Sequence, residues 1–296
     1  MANLKEVRAR ISSVQSTQQI TKAMKMVAAA KLRRAQDGIL RMRPYAQRLS
    51  GLLGNLSRMT ADDNDFENVY DVQRDVRRVL IIAVTSDRGL CGAFNTNVLK
   101  AVNALIREKY SAQHAAGNVS YLAIGKKGHE ALAKRGEKLV GDYTTLFTNL
   151  SFDTVRPAAE QAMAGFRAGE FDRVELVYNE FKNVATQIIR AEQLLPIQPP
   201  AEAPATATEP WYTFVPSQTE ILTELIPKSI KIQVYKAVLE SNASEQGARM
   251  TAMEKATENA GELLKALKLT YNRTRQAAIT TEILEIVGGA EALAAG

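Results

Sequence analysis

Cysteine and histidine are scarce in this 296-residue sequence, which contains a single cysteine, Cys91, and two histidines. One cysteine cannot form a disulfide within the chain, so the sequence indicates a reducing compartment. These few residues also supply too few nitrogen and sulfur ligands for a typical zinc site. We therefore expect neither a disulfide-stabilised domain nor a bound metal, and no cofactor is expected.

Long hydrophobic runs are also missing. No stretch approaches the roughly 18 uninterrupted apolar residues that a membrane span needs, and the N-terminal sequence MANLKEVRAR has no apolar signal core. We expect a protein that is cytosolic or lies on the cytosolic side of a membrane. Hydrophobic residues still make up 46% of the chain, which excludes a disordered polypeptide and suffices for one large domain or two smaller ones.

Acidic residues are rare at the N-terminal end. Residues 1–60 contain twelve lysines and arginines against two acids, Glu6 and Asp37, in a chain whose net charge is +6. Such a basic arm predicts an acidic partner, which could be nucleic acid, an anionic membrane surface or a protein. Tyr45 is the only aromatic residue of the arm. Stacking on nucleic-acid bases is therefore unsupported, and a protein partner is favoured.

A seven-residue apolar repeat runs through residues 2–57. Of the sixteen positions reached by alternating steps of three and four, thirteen are apolar. A repeat that persists over eight heptads is typical of a coiled coil. The three polar exceptions, Gln18, Thr21 and Lys25, are consecutive members of the stripe, so the character of the seam changes there.

The C-terminal part of the chain, 212–296, predicts a second long helix. One stripe of it consists of small residues followed by two leucines: Ala237, Ser241, Ser244, Ala248, Ala252, Ala256, Ala260, Leu263 and Leu267. Small side chains let two helix backbones approach closely, and the N-terminal helix with its larger apolar residues is a suitable antiparallel partner. Residues 276–296 contain no basic residue. We expect this end to form an apolar tip that fits a hole in another protein, rather than a buried terminal helix.

Between these helices the pattern changes to short apolar runs that alternate with helical segments. The predicted strands are 77–89, 119–125, 138–146, 173–181 and 185–196, and the predicted helices are 95–110, 126–135 and 154–168. This alternation indicates a mainly parallel sheet, and the close spacing of the last two strands predicts an antiparallel hairpin at one edge.

The predicted fold class is therefore α/β plus a long antiparallel coiled coil. A Rossmann-like α/β domain, 76–196, is inserted between the paired N-terminal helix, 1–60, and C-terminal helix, 212–296. The acidic segment 61–75 is predicted to be a connector, and the Pro- and Ala-rich segment 197–210 a flexible loop.

Residues that could carry chemistry are few in the α/β domain. The turn 86–95 follows the first strand, where α/β proteins bind phosphates, but it lacks G-x-G-x-x-G, and GKKG at 125–128 lacks the spacing of a P-loop. Cys91 has no assigned base to activate it as a nucleophile. An α/β nucleotide-binding protein or enzyme stays open as an alternative, as does a basic coiled-coil adaptor for nucleic acid. Saturable nucleotide binding would favour the first, and salt-sensitive DNA or RNA binding the second.

Several stretches, in order along the chain, carry a specific resemblance. They are ITKAMKMVAAAKLR at 20–33, SDRGLCGAFN at 86–95, SEQGARM at 244–250, the pair Tyr271-Asn272, and RQAAITTEILEIVGGA at 275–290. Together they resemble the gamma subunit of F-type ATP synthase over the whole chain. Two features depart from that family. Lys25 occupies a position where an acidic residue is expected in many members, and the segment 197–210 looks like an insertion.

The resemblance implies a central rotary shaft that is not itself catalytic. One such subunit turns inside a ring of three alpha and three beta subunits and couples proton flow through the membrane c-ring to ATP synthesis or hydrolysis at the beta subunits. The α/β domain would bind the epsilon subunit and the c-ring, and no nucleic acid is implied as a partner. The chain would lie peripherally on the cytoplasmic side of a bacterial inner membrane.

The resemblance also implies roles for single residues. The residues that would contact a beta subunit are Lys22, Met24, Lys25, Arg249, Gln276, Thr280 and Glu282. The first three would face an acidic loop, and the other four would form a polar catch. The apolar tip, 283–296, would turn in a bearing formed by the ring, through Ile283, Ile286, Val287 and Leu293. No catalytic or metal-binding residue is implied.

Overall fold

The computed structural model of the chain describes residues 4–59, 68–184, 186–198 and 217–295. Its helices are α1 (Leu4–Met59), α2 (Phe94–Lys109), α3 (Ser111–Ala115), α4 (Lys126–Ala133), α5 (Phe152–Arg167) and α6 (Gln218–Ala295). Its strands are β1 (Val79–Val84), β2 (Val119–Ile124), β3 (Lys138–Leu139), β4 (Arg173–Phe181) and β5 (Gln187–Leu195). The two predicted terminal helices are thus confirmed, each as one continuous helix.

Internal contacts divide the chain into two compact units. The helical unit contains the described residues up to Ala28 and from Arg249 onward. The sheet unit contains those from Ala29 to Ala248. Each long helix contributes one segment to each unit. The predicted boundaries differ, because they assign each whole helix to the coiled coil.

In the helical unit α1 and α6 run antiparallel. Moving along α1, Gln18, Thr21 and Lys25 meet Gly261, Thr257 and Glu254 in turn, so the numbers rise on one helix as they fall on the other. The least exposed residues follow the predicted stripe on α1 and a matching stripe on α6: Val7, Thr21, Ala28, Met253, Ala260 and Leu264. The prediction of an antiparallel coiled coil is confirmed in this unit.

The predicted C-terminal stripe is wrong at one position. Leu263 is 50% exposed, whereas its neighbour Leu264 is 9% exposed and faces α1. The predicted stripe takes four steps of four in a row, from Ser244 to Ala260, and then a step of three to Leu263, where the contacting stripe takes a step of four to Leu264. The contacting stripe instead alternates steps of three and four, which keeps it on one side of the helix.

The sheet unit is built on a five-stranded sheet in the order β3-β2-β1-β4-β5. β1 pairs in parallel with β2 and β4, and β2 pairs in parallel with β3. β5 pairs antiparallel with β4 at the edge, which confirms the predicted hairpin. All six residues of β1, VLIIAV, are buried, because a central strand with both faces covered favours a continuous apolar run over alternation.

Helices cover both faces of the sheet. One face packs against α5 and α6 through residues such as Phe166, Ile230 and Val234. The other packs against α2 through Val98 and Val102. Helices on both faces of a largely parallel sheet define a doubly wound α/β unit, as predicted. A third cluster joins α1 to α6 and the end of β4: Leu32, Ala35, Ile39, Phe181, Leu239 and Ala243.

Two local predictions differ from the structure. The strand predicted over 138–146 is limited to β3, Lys138–Leu139. A turn follows it, because Gly141 has a positive φ of 73° and Asp142 accepts hydrogen bonds from Thr144. The short helix α3 was not predicted. Residues 61–67 of the predicted connector, 199–210 of the predicted loop and 212–216 of the predicted second helix lie outside the described residues.

Candidate functional site: partner contacts on the two long helices

The residues predicted to contact a beta subunit lie at two levels of the helical unit. The first contact level consists of Lys22, Met24, Lys25 and Arg249, and the second of Gln276, Thr280 and Glu282. Both Arg249 and Gln276 belong to the continuous helix α6. They are separated by 27 positions, which corresponds to about 40 Å along the axis. The structure therefore does not bring Arg249 together with the other three residues of the predicted polar catch.

At the first contact level, Lys25 is engaged by its own chain. Its Nζ lies 2.5 Å from Oε1 of Glu254 on α6, and the two side chains remain 38% and 44% exposed. Lys22 is exposed and Met24 is half-buried. The basic charge that the sequence assigns to this patch is thus partly neutralised by an acid that sequence analysis did not single out.

An apolar face of α1 accompanies these charges. Ile20 and Val27 are exposed large hydrophobic residues. Their spacing places them on the same side of the helix as Met24, because positions four and seven apart lie within about 40° of each other. They point away from the seam with α6, and Met26 is exposed nearby. The signal that could have identified this face is the presence of large apolar residues outside the heptad stripe.

At the second contact level, Gln276 and Thr280 share a side of α6. The Thr280 hydroxyl donates to the Gln276 carbonyl oxygen at 2.9 Å, and both residues are exposed. Ile283 and Val287 continue the same side at helical spacing, so a polar patch leads directly into an apolar one. Glu282 is exposed about 120° around the helix from this side. Gln276 and Thr280 are thus brought together, and Glu282 faces elsewhere.

The end of α6 is exposed on all sides. Each residue from 279 to 291 is exposed, and five of them are large and apolar: Ile279, Ile283, Leu284, Ile286 and Val287. Ile286 reaches 72% exposure. Among the described residues, none covers this segment. Leu293 lies within the helix, but its side chain is outside the described residues.

The turn 86–95, the candidate phosphate site, is filled by its own side chains. Asn95 accepts a hydrogen bond from the Ser86 amide at 2.9 Å, and its own amide group donates to the Ser86 hydroxyl at 2.8 Å. The Ser86 hydroxyl lies 2.8 Å from the Arg88 carbonyl oxygen. Cys91 is fully buried inside this network. This arrangement fits the interpretation of a tight structural turn, in which Asn95 fixes the turn.

The glycines of the GKKG segment also have a packing role. A Cβ atom on Gly125 would lie 2.4 Å from the Thr85 carbonyl oxygen, and one on Gly128 would lie 2.6 Å from the Thr85 hydroxyl oxygen. Gly128 donates its amide to that same hydroxyl oxygen at 2.9 Å. These glycines allow α4 to approach the end of β1, which explains them without a bound phosphate.

A cavity of about 920 Å³ in the sheet unit was not predicted. It lies among α1, α6 and the β4–β5 hairpin. Glu240, 1% exposed, is one of its lining residues, and its Oε1 lies 3.5 Å from Nη2 of Arg43. Burial raises the pKa of Glu240, while the neighbouring Lys236 and Arg43 act in the opposite direction.

Other kinds of site find no support in the part of the chain that the structure describes. No cluster of three or more histidine, cysteine, aspartate or glutamate side chains there is arranged to hold a metal ion. None of the helices described combines the length and apolarity that crossing a membrane requires.

Comparison with known proteins gives a consistent match. Residues 3–293 match the ATP synthase family. The chain is 64% identical over 295 residues to the ATP synthase gamma chain of Cytophaga hutchinsonii and 53% identical over 294 residues to that of Flavobacterium johnsoniae. In both comparisons the alignment covers 99% of each chain.

Solved structures agree with this match. A chain from the central stalk and c-ring structure of Tetrahymena thermophila mitochondrial ATP synthase is 26% identical, with a TM-score of 0.58 and coverage of 80% of this chain and 99% of that one. A chain from the Euglena gracilis mitochondrial enzyme has the same fold, with a TM-score of 0.70 at 24% identity and coverage of 99% and 95%. The chain therefore belongs to the gamma chain family of F-type ATP synthase, whose members form the central rotary shaft of this membrane-associated complex.

Proposed function

We propose that this shaft acts on the beta subunits at two separate levels of its helical unit and turns on the exposed end of α6. It couples proton flow through the c-ring to ATP synthesis or hydrolysis and catalyses no step itself. The observation that carries the proposal is the end of α6, where thirteen consecutive residues from 279 to 291 are exposed although five of them are large and apolar. Apolar surface of this extent indicates a site of protein contact.

The apolar tip suits a bearing. Exposed leucine, isoleucine and valine side chains make few directional bonds, so an apolar sleeve around them holds the helix without favouring one rotational angle. Ile283, Ile286 and Val287 would contact the sleeve directly, and Leu293 would extend the contact toward the C-terminus. The alpha and beta subunits, three of each around one shaft, would supply the sleeve.

The second contact level would hold a beta subunit by polar contacts. Gln276 and Thr280 present an amide and a hydroxyl on one side of α6, and these groups can exchange hydrogen bonds with a partner. Glu282 faces elsewhere and would meet a different part of the ring. Because hydrogen bonds are directional, this level, unlike the tip, can transmit force at particular angles.

The first contact level would face an acidic loop of a beta subunit. Lys22 supplies an exposed charge, while Met24 lies on the same apolar face as Ile20 and Val27. Lys25 keeps 38% of its side chain exposed while paired with Glu254, so a second carboxylate could reach it. Arg249 lies five positions from Glu254 on α6 and would add to this level.

The sheet unit would form the foot of the shaft and bind the epsilon subunit and the c-ring. A non-catalytic role is supported by the 86–95 turn, whose polar groups bond to one another, and by the packing role of Gly125 and Gly128. The complex would place the chain peripherally on the cytoplasmic side of the bacterial inner membrane.

Cysteine labelling tests the bearing directly. Cys91 is fully buried, so a cysteine introduced as Ile286→Cys would be the reactive one. We expect the maleimide reaction to be at least ten-fold slower in the assembled complex than in the isolated chain. Lys109→Cys, at the exposed end of α2, is the control, because it shows whether assembly slows the maleimide reaction at a position away from the tip. Equal labelling of Ile286→Cys in the isolated and assembled states would contradict the proposal.

A further inference from the structure

The polar residues that interrupt the apolar seam of α1 meet polar partners on α6. Lys25 pairs with Glu254 at 2.5 Å. The Thr257 hydroxyl donates to the Thr21 hydroxyl oxygen at 2.8 Å, and Thr21 donates in turn to the Gln18 carbonyl oxygen at 3.1 Å. The side-chain amide of Gln18 reaches the Thr257 carbonyl oxygen at 3.5 Å. We call these five residues the polar layer.

Energy alone does not explain the polar layer. An ion pair as exposed as Lys25–Glu254 adds little to stability, because water screens the two charges and both long side chains lose freedom. The Thr257 hydroxyl also lies 2.7 Å from the Met253 carbonyl oxygen, so its single proton could be donated within its own helix instead of across the seam. Apolar side chains at Thr21 and Thr257 would bury more apolar surface in the seam. The layer is therefore a poor means of increasing affinity between the helices.

The heptad repeat by itself does not determine the axial register of α1 against α6. Because apolar residues recur every seven positions, sliding α6 along α1 by one heptad, about 10 Å, brings apolar residues opposite apolar residues again. Small residues such as Ala260, with Gly261 next to it, oppose this sliding weakly. In the two slipped registers Thr257 would face Val14 or Ala28 instead of Thr21, and the Lys25–Glu254 pair would be broken.

We infer that the polar layer fixes the axial register of α1 against α6, so that the two helices carry load without sliding past each other. Polar side chains in an apolar coiled-coil seam specify register at a cost in stability. The inference rests on the role of the chain as a rotary shaft, and it gives these five residues a positioning role within the chain, to which the proposed contact of Lys25 with a beta subunit is secondary. In particular, Lys25 acts primarily on Glu254.

Charge reversal in the complete membrane complex tests the ion pair. We expect Lys25→Glu and Glu254→Lys each to lower the number of protons pumped per ATP hydrolysed by at least two-fold, because like charges then meet across the seam. The double exchange, Lys25→Glu with Glu254→Lys, should restore the ratio. Arg8→Glu and Glu262→Lys, the same charge changes at exposed positions of the two helices, are matched controls and should leave the ratio unchanged.

The pattern of the three variants separates this inference from the proposed contact with a beta subunit. If Lys25 serves only a partner's acidic loop, Glu254→Lys alone is harmless and the double exchange remains as defective as Lys25→Glu. That result would overturn the register role and support the partner contact. A wild-type ratio in all three variants would overturn both roles of Lys25, while leaving the labelling test of the bearing unaffected.

A second variant tests register without changing charge. Thr21→Val with Thr257→Val preserves shape and removes the hydroxyl link. We expect equal or higher thermal stability, together with a second peak in the distance distribution between spin labels at Ser12→Cys and Lys265→Cys, which are exposed positions on the two helices. A merely stabilising role of the threonines predicts lower thermal stability and a single distance peak, and that outcome would overturn the inference.

Discussion

Helix α6 passes through two contrasting environments. From residue 218 to 248 it lies in the sheet unit, where Leu222, Ile226, Ile230 and Val234 are buried against the sheet. From residue 279 to 291 it carries similar residues, and all of them are exposed. Apolar content therefore does not decide burial along this helix. The sheet covers the first segment, whereas no described residue covers the second.

Apolar residues in the two segments of α6 are expected to serve different purposes. Side chains in the first segment contribute to folding of the chain itself, since their apolar surface leaves water when the sheet unit forms. Side chains in the last segment stay in contact with water in the folded chain, and in the proposed bearing they would contribute to binding the ring instead. Substitutions of the same residue type in the two segments should therefore affect different measurements.

The largest expected effect is on folding. Ile230→Ala should lower the free energy of unfolding of the full chain by about 2–5 kcal/mol, because it leaves a cavity where Ile230 is 1% exposed. Ile286→Ala removes the same atoms at the exposed end and should change it by less than about 0.5 kcal/mol. Urea denaturation followed by circular dichroism measures both. Similar losses for the two variants would show that the end of α6 is covered within the chain.

A smaller effect is expected on turnover of the complex. The double variant Gln276→Leu with Thr280→Val removes the polar groups from one side of α6. If each group makes one hydrogen bond to the beta subunit worth about 0.7 kcal/mol, losing both predicts roughly ten-fold slower ATP hydrolysis. Thr281→Val is the matched control, because Thr281 makes the same local bond, to the Ala277 carbonyl oxygen at 3.0 Å, on a different side of the helix. Wild-type turnover in the double variant would refute the second contact level.

The smallest expected effect is a change in pH dependence. Burial raises the pKa of Glu240 above its ordinary value of 4.5, so the folded chain binds this proton more tightly than the unfolded chain. This group therefore makes stability fall as pH rises from 4.5 toward the folded-state pKa. Glu240→Gln should remove that slope in urea titrations at several pH values, whereas Glu285→Gln, an exposed control on the same helix, should retain it. An unchanged slope in Glu240→Gln would show that Glu240 is not the group responsible for this pH dependence.

The heptad pattern predicted most of α1 and its seam because a coiled coil depends on local periodicity. The C-terminal stripe was harder to predict, since many small residues fit several stripes equally well and only contact with α1 distinguishes Leu264 from Leu263. The short strand β3 shows the same limit, because the turn at Gly141 ends a run whose composition alone predicts a longer strand.

The functional residues show a similar division. The resemblance of the sequence supplied the residues proposed to contact a beta subunit, but their arrangement came from the structure. Arg249 and Gln276 appear as members of one site in the sequence, yet the rise of a continuous helix separates them by about 40 Å. The partner of Lys25 is likewise invisible in the sequence, where 229 positions separate Lys25 from Glu254.

The sequence by itself determined two long helices, an α/β segment between them and membership of a family, because periodicity, β-branched runs and motif order are all local properties. Only the tertiary structure decided the register of α1 against α6, the residues that form the polar layer, and the difference between the buried and exposed segments of α6. These properties depend on which distant residues meet. A heptad repeat permits several such meetings, and the side chains at the seam select among them.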